Sequence, residues 1–399
     1  MIKLKKILLE KKYLFESKFP PGIDSSNIIS WEEFTKEDSF VDENEKGLQK
    51  ISSKVAPSFD TMADYVRSRE KDPTLERDYD LGIVHKAFLI DKEGKNQDSR
   101  MLIQLITDRP NHLIDKNSKI KKSGLDHTHF YNTTLPAYRG IYYDEEKKEF
   151  RIVTICSMAD ICKWSCYALN GVYIVFKDSF LYRAKVITYI MNNWEGYKSQ
   201  LKFEIQERER LDKSKNFKTA LRWHDSGEMI NKEYFEMIMD IARDTPEIDH
   251  YAYTKNVSMA NKAKIPPNFE FAYSLGGTQD NLIRKGEKKA YIIEKDKFKP
   301  FLKLIGTAMN PNKKGKPHRE WIKQDVIYHD GLNSINAFKK SIAKDYKVPL
   351  NTVITYNELV KIPYDRTAQE RKWNVIVTPI DGDDAGMRKD VAGIFLLKH

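Results

Sequence analysis

The sequence predicts an α/β fold with a partial (β/α) barrel-like parallel sheet as its core. The prediction depends on the region between residues 150 and 275, where short β-branched or aromatic runs alternate with helical patterns. Strand–helix–strand units at this spacing form parallel sheets with crossover helices. An open doubly wound sheet and part of a barrel both fit this pattern. Both place their functional sites at the carboxyl ends of the strands.

Hydrophobic periodicity and end signals locate the elements of this core. Asn231 is expected to cap a helix whose apolar residues recur at helical spacing, and Pro246 is expected to end it. A long helical stretch from Ser179 to about Arg210 is expected to break near Asn192–Gly196. The expected strands are Arg151–Ile155, Thr219–Trp223, His250–Tyr253 and Phe269–Tyr273.

The rest of the chain divides into an arm, the first part of the core and a C-terminal region. Residues 1–75 are charged and turn-rich, which predicts a helical N-terminal arm, and residues 76–280 hold the core. Leu81–Ile90 and Met101–Ile106 are rich in strand-forming residues. Residues 281–399 either complete the sheet or form a lid. Their expected elements are the strands Ala290–Ile293, Val326–Tyr328 and Asn374–Thr378 and the helix Asn333–Ala343.

Composition limits the class of protein. Hydrophobic residues make up 40% of the 399 residues and charged residues 32%, which excludes a membrane protein, and 12% aromatic residues exclude a disordered chain. The N-terminus has no apolar core of the signal-peptide type, so we expect a cytoplasmic protein that contacts no membrane. The net charge of +10 allows a nucleic acid or a phosphorylated partner without requiring either.

Three cysteines carry the most specific chemical signal. Cys156, Cys162 and Cys166 lie within eleven residues, and the chain has no other cysteine. An odd cluster in a cytoplasmic chain is not a disulfide framework. Three thiolates can hold a [4Fe–4S] cluster with one open iron, or a zinc ion completed by water, His127 or His129. The remaining interpretation is that of buried thiols that bind nothing.

The expected strand Thr219–Trp223 is followed by the sequence His-Asp-Ser-Gly-Glu. A Ser-Gly pair after a strand lets the backbone turn sharply and approach a ligand. Glu228 would then direct its carboxylate into the strand-end crevice, where it could hold an ammonium group, with Asp225 and His224 as acid–base partners. The alternative is an ordinary strand-to-helix turn in which Asp225 or Ser226 acts as a cap.

Polar residues also follow the next two expected strands. Thr254 and Lys255 stand where strand-end groups reach a ligand, although a solvated turn explains them equally well. The following strand ends at Ser274, and Gly276 and Gly277 come next. These glycines resemble a turn of close backbone approach, but no phosphate-loop pattern is complete.

The order of these motifs resembles the radical S-adenosylmethionine superfamily, in which a three-cysteine loop, a Gly-Gly-Glu-type segment and polar strand-end residues follow successive strands. More specifically, it resembles the phage and bacterial family called gene product 88. The residues between Ala137 and Cys156 look like an insertion around a charged hairpin tip, Asp144–Lys148. Five segments match that family in order: Asn117–Lys119, Leu135–Ala137, Cys166–Ala168, Trp223–Glu228 and Tyr251–Lys255.

The resemblance implies an iron–sulfur enzyme that binds S-adenosylmethionine, receives an electron from a donor and acts on an unidentified substrate. Nucleotides and nucleic acids are among the candidate substrates, and a phage-encoded enzyme would work in the host cytoplasm. The three cysteines would hold the cluster, and Glu228 would hold the methionine ammonium group. The other implied cofactor contacts are Ser226, Gly227, Thr254, Ser274 and Tyr167, and the implied catalytic residues are Asp225, His224 and Lys255.

Two other interpretations stay open. Asp225, Ser226 and Gly227 are similar to the Asp-Ser-Gly-Gly stretch of tRNA-guanine transglycosylases, which bind zinc through cysteines. A zinc-binding base-modifying enzyme of that kind would use Asp225, not Glu228, as its key carboxylate. A phage structural protein with a decayed site would bind no metal.

Overall fold

The computed structural model describes residues 28–30, 99–116, 125, 127–160, 168, 177–293, 331–376 and 384–397. The strands in these ranges are β1 (Ile28–Ser30), β2 (Thr128–Asn132), β3 (Arg139–Asp144), β4 (Glu149–Thr154), β5 (Lys218–Trp223), β6 (Asp249–Thr254), β7 (Phe269–Ser274), β8 (Lys289–Ile293), β9 (Val353–Thr355), β10 (Trp373–Ile376) and β11 (Val391–Leu397). The helices are α1 (Ser99–Thr107), α2 (Lys177–Asn192), α3 (Trp194–Lys213), α4 (Lys232–Asp244), α5 (Val257–Lys262), α6 (Gly331–Asp345), α7 (Tyr356–Leu359) and α8 (Asp384–Met387).

A parallel sheet of eight strands forms the centre of the described residues. Its order is β2-β5-β6-β7-β8-β11-β10-β9, and each neighbouring pair runs parallel. The first five strands follow one another in chain order, as in a barrel, and the C-terminal strands extend the same sheet. Among the described strands β2 and β9 are edges, so no closed barrel forms. The predicted α/β class with a barrel-like parallel sheet is confirmed.

Helices and C-terminal segments cover the two faces of the sheet. Leu221 and Trp223 of β5 and Phe271 of β7 belong to a core that also contains Ile190 of α2 and Ile238 of α4. Successive side chains of a strand point to opposite faces. The alternate residues pack against the C-terminal region, whose short helix α8 contacts β6 and β7. Burial on both faces is usual for a parallel sheet.

A second sheet is antiparallel and has the order β1-β4-β3. The pairing runs from Arg139 opposite Thr154 to Asp144 opposite Glu149, which confirms the hairpin expected there. The prediction that Arg151–Ile155 belongs to the parallel sheet is wrong, because β4 finds its partner through this tight turn. The segment Ile28–Ser30 is a strand paired with β4 and not part of a helix. The rest of the expected helical arm lies outside the described residues.

The elements themselves follow the sequence signals, with one exception. The long helix breaks at Asn193, whose side chain caps α3 by accepting the N–H of Gly196, and Asn231 caps α4. The strand expected at Met101–Ile106 is wrong, because this run lies inside α1. Ile106 is buried and Leu105 is 44% exposed, so one side of an amphipathic helix overrides the strand propensity. The expected strands Leu81–Ile90 and Val326–Tyr328 lie outside the described residues.

Candidate active site at the strand ends

The carboxylate of Glu228 joins the carboxyl ends of β5 and β6. Its Oε1 accepts hydrogen bonds from the N–H of Met229 and the hydroxyl of Thr254, each at 2.9 Å. Its Oε2 accepts the N–H of Lys255 at 2.7 Å. Two motifs that are separate in the sequence therefore meet at one side chain.

The surroundings of Glu228 shift its pKa and use most of its hydrogen-bond acceptor positions. Burial raises the pKa of Glu228, and the three hydrogen bonds together with the charge of Lys255 act in the opposite direction. A carboxylate has about four lone-pair positions, and donors among the described residues use three of them. With respect to these donors, one position on Oε2 is left for a group such as an ammonium.

The Ser226–Gly227 turn packs on the segment that follows β2. The N–H of Leu135 donates to the carbonyl of Ser226 at 3.0 Å, and the Ser226 hydroxyl donates to the carbonyl of Leu135 at 2.5 Å. Gly227 has φ +85°, and a Cβ on it would lie 2.5 Å from the Leu135 Cβ. Only glycine fits this position without displacing its neighbour.

Cys156 is held against the same segment. Its Sγ accepts the N–H of Tyr138 at 3.4 Å, and the N–H groups of Ile155 and Cys156 donate to the Tyr138 carbonyl at 2.7 and 3.0 Å. Tyr138 has φ +60°, a conformation that costs a non-glycine residue about 1–2 kcal/mol. The other two cysteines, Cys162 and Cys166, and the predicted cofactor contact Tyr167 lie outside the described residues.

The first part of the cysteine loop lies over the end of β7. The N–H of Thr278 donates to the carbonyl of Met158 at 3.0 Å. A Cβ on Gly277 would lie 2.9 Å from that carbonyl oxygen and 3.1 Å from the Cβ of Lys255. The expected turn of close approach is confirmed, and it brings the cysteine loop beside Lys255. Ser274 lies at the same edge, at the end of β7.

His224 is buried with φ +59°, and its Nε2 lies 3.0 Å from the hydroxyl of Tyr234, which is 2.8 Å from that of Tyr197. Burial and then the charge of Arg222 lower the pKa of His224 to about 3. The imidazole is therefore neutral at pH 7 and engaged with α4. Asp225 is also buried, and its backbone N–H donates to the carbonyl of Thr133 at 2.9 Å.

The histidines considered as zinc ligands lie elsewhere. His129 is at the amino end of β2, with Nδ1 2.6 Å from Asp212 and its ring stacked on Phe217. His127 precedes it and also contacts Phe217. Cys156 lies beyond the carboxyl end of β2, so the length of this strand separates it from His127 and His129. The two histidines were considered because they are close to Cys156 in the sequence, but the extended strand β2 lies between them and the segment that contacts Cys156.

A family model described as gene product 88 matches residues 105–333, more than half of the chain. The chain belongs to the gene product 88 family. No curated protein and no solved structure matches it. No helix among the described residues is long and apolar enough to span a membrane.

The gene product 88 motifs that the structure describes converge at one edge of the sheet. The segments Leu135–Ala137, Trp223–Glu228 and Tyr251–Lys255 meet there, together with Cys156. Within the described ranges no three His, Cys, Asp or Glu side chains form a metal-binding group. Tyr138 and Thr133 could not be predicted as site residues, because their roles depend on hydrogen bonds to residues far away in the chain.

Proposed function

We propose that this gene product 88 protein is an iron–sulfur enzyme of the radical S-adenosylmethionine type, acting on an unidentified substrate. The observation that carries the proposal is the position of the Cys156 loop beside Glu228, Thr254 and Lys255, at the carboxyl ends of parallel strands. Open α/β sheets bind their ligands at this edge. The proposal also depends on the sequence pattern, because three clustered cysteines have no disulfide use in a cytoplasmic chain.

The described residues fit a cluster ligand at Cys156. Its Sγ accepts a backbone N–H, and hydrogen bonds to cluster sulfurs are one of the features by which proteins set the potential of iron–sulfur clusters. Cys156 is partly buried and touches the main core, so a packed thiol is the competing explanation. When bound, a [4Fe–4S] cluster supplies the electron that cleaves a carbon–sulfur bond of S-adenosylmethionine.

The chain's own residues would bind and orient the cofactor. Glu228 would accept a hydrogen bond from the methionine ammonium group at its remaining Oε2 position. Ser226 and Gly227 would shape the pocket by holding the turn against the Leu135 segment, which fixes the backbone that carries Glu228. Thr254 and Lys255 would hold the Glu228 carboxylate in place through the hydrogen bonds described above. Neutral His224 would position the turn through Tyr234.

Metal analysis tests the proposal. Protein purified without oxygen and reconstituted with iron and sulfide is expected to be brown, with about four irons per chain. Cys156→Ser, Cys162→Ser and Cys166→Ser should each lose most of the iron and the electron paramagnetic resonance signal of the reduced cluster. Colourless protein with stoichiometric zinc would contradict the proposal, and so would metal-free protein of unchanged stability.

Two carboxylate variants distinguish this enzyme from a transglycosylase-like one. Glu228→Ala should abolish binding of S-adenosylmethionine, measured by calorimetry on the reconstituted protein, while Asp225→Ala should retain it. Glu228→Gln keeps the size of the side chain and removes its charge, so it tests whether binding of S-adenosylmethionine needs the charge. A protein in which only Asp225→Ala loses function, with no need for S-adenosylmethionine, would favour the zinc-dependent alternative.

A further inference from the structure

An unsatisfied side-chain amide lies at the candidate site. Asn256 follows Lys255 at the end of β6 and is 2% exposed. Its Nδ2 has no hydrogen-bond acceptor among the described residues, and its Oδ1 receives only a long contact of 3.5 Å from the Ser258 hydroxyl. Leaving a buried donor unpaired costs free energy. Such a group in a native protein therefore calls for an explanation, for instance a ligand.

The position of Asn256 in the chain makes the missing bond more informative. Asn256 is the N-cap residue of α5, and asparagine at that position ordinarily accepts a backbone N–H of the first turn. Asn231 does this at α4, where its Oδ1 accepts the N–H of Tyr234 at 2.9 Å. The Asn256 side chain makes no capping bond. Its amide does not serve the structural role that its position offers.

Both sides of Asn256 are anchored to the candidate site. Its own backbone N–H donates to Thr254 Oγ1 at 2.9 Å, and that hydroxyl donates to Glu228 at 2.9 Å. Two residues further on, the N–H of Ser258 donates to Gln279 Oε1 at 2.8 Å. Gln279 belongs to the turn that contacts the cysteine loop. The amide therefore stands between the acidic group and the loop.

The neighbouring cation indicates the charge of the ligand. Among the described residues no carboxylate forms a close ion pair with Lys255, whose charge acts on the nearby Glu228 by lowering its pKa. Its side-chain carbons lie against the backbone of Gly277, where an added Cβ would be 3.1 Å from Cβ and 3.2 Å from Cδ. Lys255 and Asn256 are consecutive residues, and an ammonium group and an amide N–H suit a negatively charged oxygen, because hydrogen bonds to ionised acceptors are the stronger ones.

We propose that Asn256 and Lys255 together bind an anionic oxygen, from a carboxylate or a phosphate group, of a ligand at this site. The inference deepens the proposed function and rests on it for the location of the ligand. S-adenosylmethionine carries a carboxylate, and a nucleotide substrate would carry a phosphate. Asn256 is then a residue whose side-chain amide serves binding and not folding.

Thermal unfolding of the metal-free protein tests whether the Asn256 amide has a structural role. Asn256→Ala should leave Tm unchanged or raise it, because it removes an unpaired buried donor and only the long contact from Ser258. Asn231→Ala is the matched control, with the same change at an N-cap whose amide is bonded, and should lower Tm by a few degrees. An equal loss of Tm in both variants would show that the Asn256 amide is structural and would overturn the inference.

Ligand-induced shifts of Tm test whether Asn256 and Lys255 bind an anion, and they identify the source of that anion. The probes are S-adenosylhomocysteine, which carries the carboxylate, and inorganic phosphate. A shift by either probe should be lost in Asn256→Ala and Lys255→Met, with an affinity at least tenfold weaker, and kept in Asn261→Ala, whose amide is exposed and bonded to Leu282.

A response to S-adenosylhomocysteine assigns the anion to the cofactor, and a response to phosphate alone assigns it to the substrate. No shift with either probe, or equal shifts in wild type and Asn256→Ala, would overturn the inference. Its failure is distinguishable from failure of the proposed function. A phosphate shift that needs Asn256, in a protein that takes up no iron, would remove the radical chemistry and keep the anion site.

Discussion

Two residues at the candidate site have strained backbone conformations. Tyr138 and His224 both have positive φ although neither is glycine, and Gly227 in the turn after His224 has positive φ as well. Such conformations cost about 1–3 kcal/mol each and persist only where the surroundings enforce them. Here the carbonyl of Tyr138 accepts two backbone N–H groups and Thr133 binds the N–H of His224. The strain is thus maintained by hydrogen bonds that also fix the positions of Cys156 and Glu228.

Replacing Gly227 with alanine tests this packing. The change combines a φ of +85° with a Cβ placed 2.5 Å from Leu135 and 2.9 Å from the Pro136 carbonyl, so we expect a loss of roughly 2–4 kcal/mol in the free energy of unfolding. Gly286→Ala is the control, since φ is +89° and nothing lies within 4 Å of the added carbon. It should cost about 1 kcal/mol. Equal losses in urea titrations would mean that contact with Leu135 does not matter.

At the scale of elements, the antiparallel hairpin determines where the cysteine loop begins. The strand β4 belongs to the small sheet, and its end delivers Cys156 to Tyr138, just beyond the ladder that pairs Arg139 with Thr154. The sheet strand that precedes the loop in the main fold is therefore β2, with the hairpin inserted after it. The segment that looked like an insertion in the sequence is this hairpin.

The helix α4 offers a test of the packing behind the site. Ile238 of α4 is fully buried in the main core, which also contains residues of β5 and β6, the strands that precede Glu228 and Lys255. Ile238→Ala should lower the free energy of unfolding by about 2–5 kcal/mol, because the cavity is only partly filled by relaxation. Glu236→Ala, at an exposed position of the same helix, should change it by less than about 0.5 kcal/mol. Similar values for the two variants in urea titrations would refute the proposed packing.

For the whole molecule, the two ends of the parallel sheet differ in their chemistry. Buried ion pairs such as Glu270 with Lys288 stand at the amino ends of β7 and β8, where Lys288 Nζ also donates to the carbonyls of Gly386 and Arg388. In barrel-like sheets the amino end serves stability and the carboxyl end carries the site. Charge at the amino end is thus balanced internally, whereas at the other end we propose that Lys255 contacts a ligand.

Stability should fall in acid because two histidines are buried in neutral form. Burial lowers the pKa of His224 and of His250 to about 3, while unfolded histidine titrates near 6.5. The unfolded chain binds the extra protons between these values, so the free energy of unfolding decreases as pH falls from about 6.5 towards 3. The two groups contribute at most about 2.7 kcal/mol per pH unit. Glu228, with its raised pKa, opposes this trend above pH 4.5.

Urea titrations from pH 7 to pH 4.5, followed by tryptophan fluorescence, measure the slope. His224→Asn should reduce it by about half, and asparagine tolerates the positive φ at this position. An unchanged slope in this variant would mean that His224 is not the buried neutral group described here.

The sequence by itself determined the order and limits of most elements. Asn231 as a cap, the helix break beside Asn193 and the strands that end in polar motifs could all be predicted, because capping and hydrophobic period are local properties. The same local rules failed at Met101–Ile106, where the packing of an amphipathic face outweighed strand propensity. The clustered cysteines and the polar residues at the strand ends also predict the location of the site from the sequence alone.

Only the tertiary structure decided which elements pair and which motifs meet. Local sequence does not determine that β4 pairs with its hairpin partner instead of joining the parallel sheet, or that His129 and Cys156 lie at opposite ends of β2. Glu228 accepts hydrogen bonds from Thr254 and Lys255, which are more than twenty positions away in the sequence. The unpaired amide of Asn256 likewise depends on which distant residues pack around it. Such contacts are set by sheet register and by packing of the whole chain, which a local pattern does not encode.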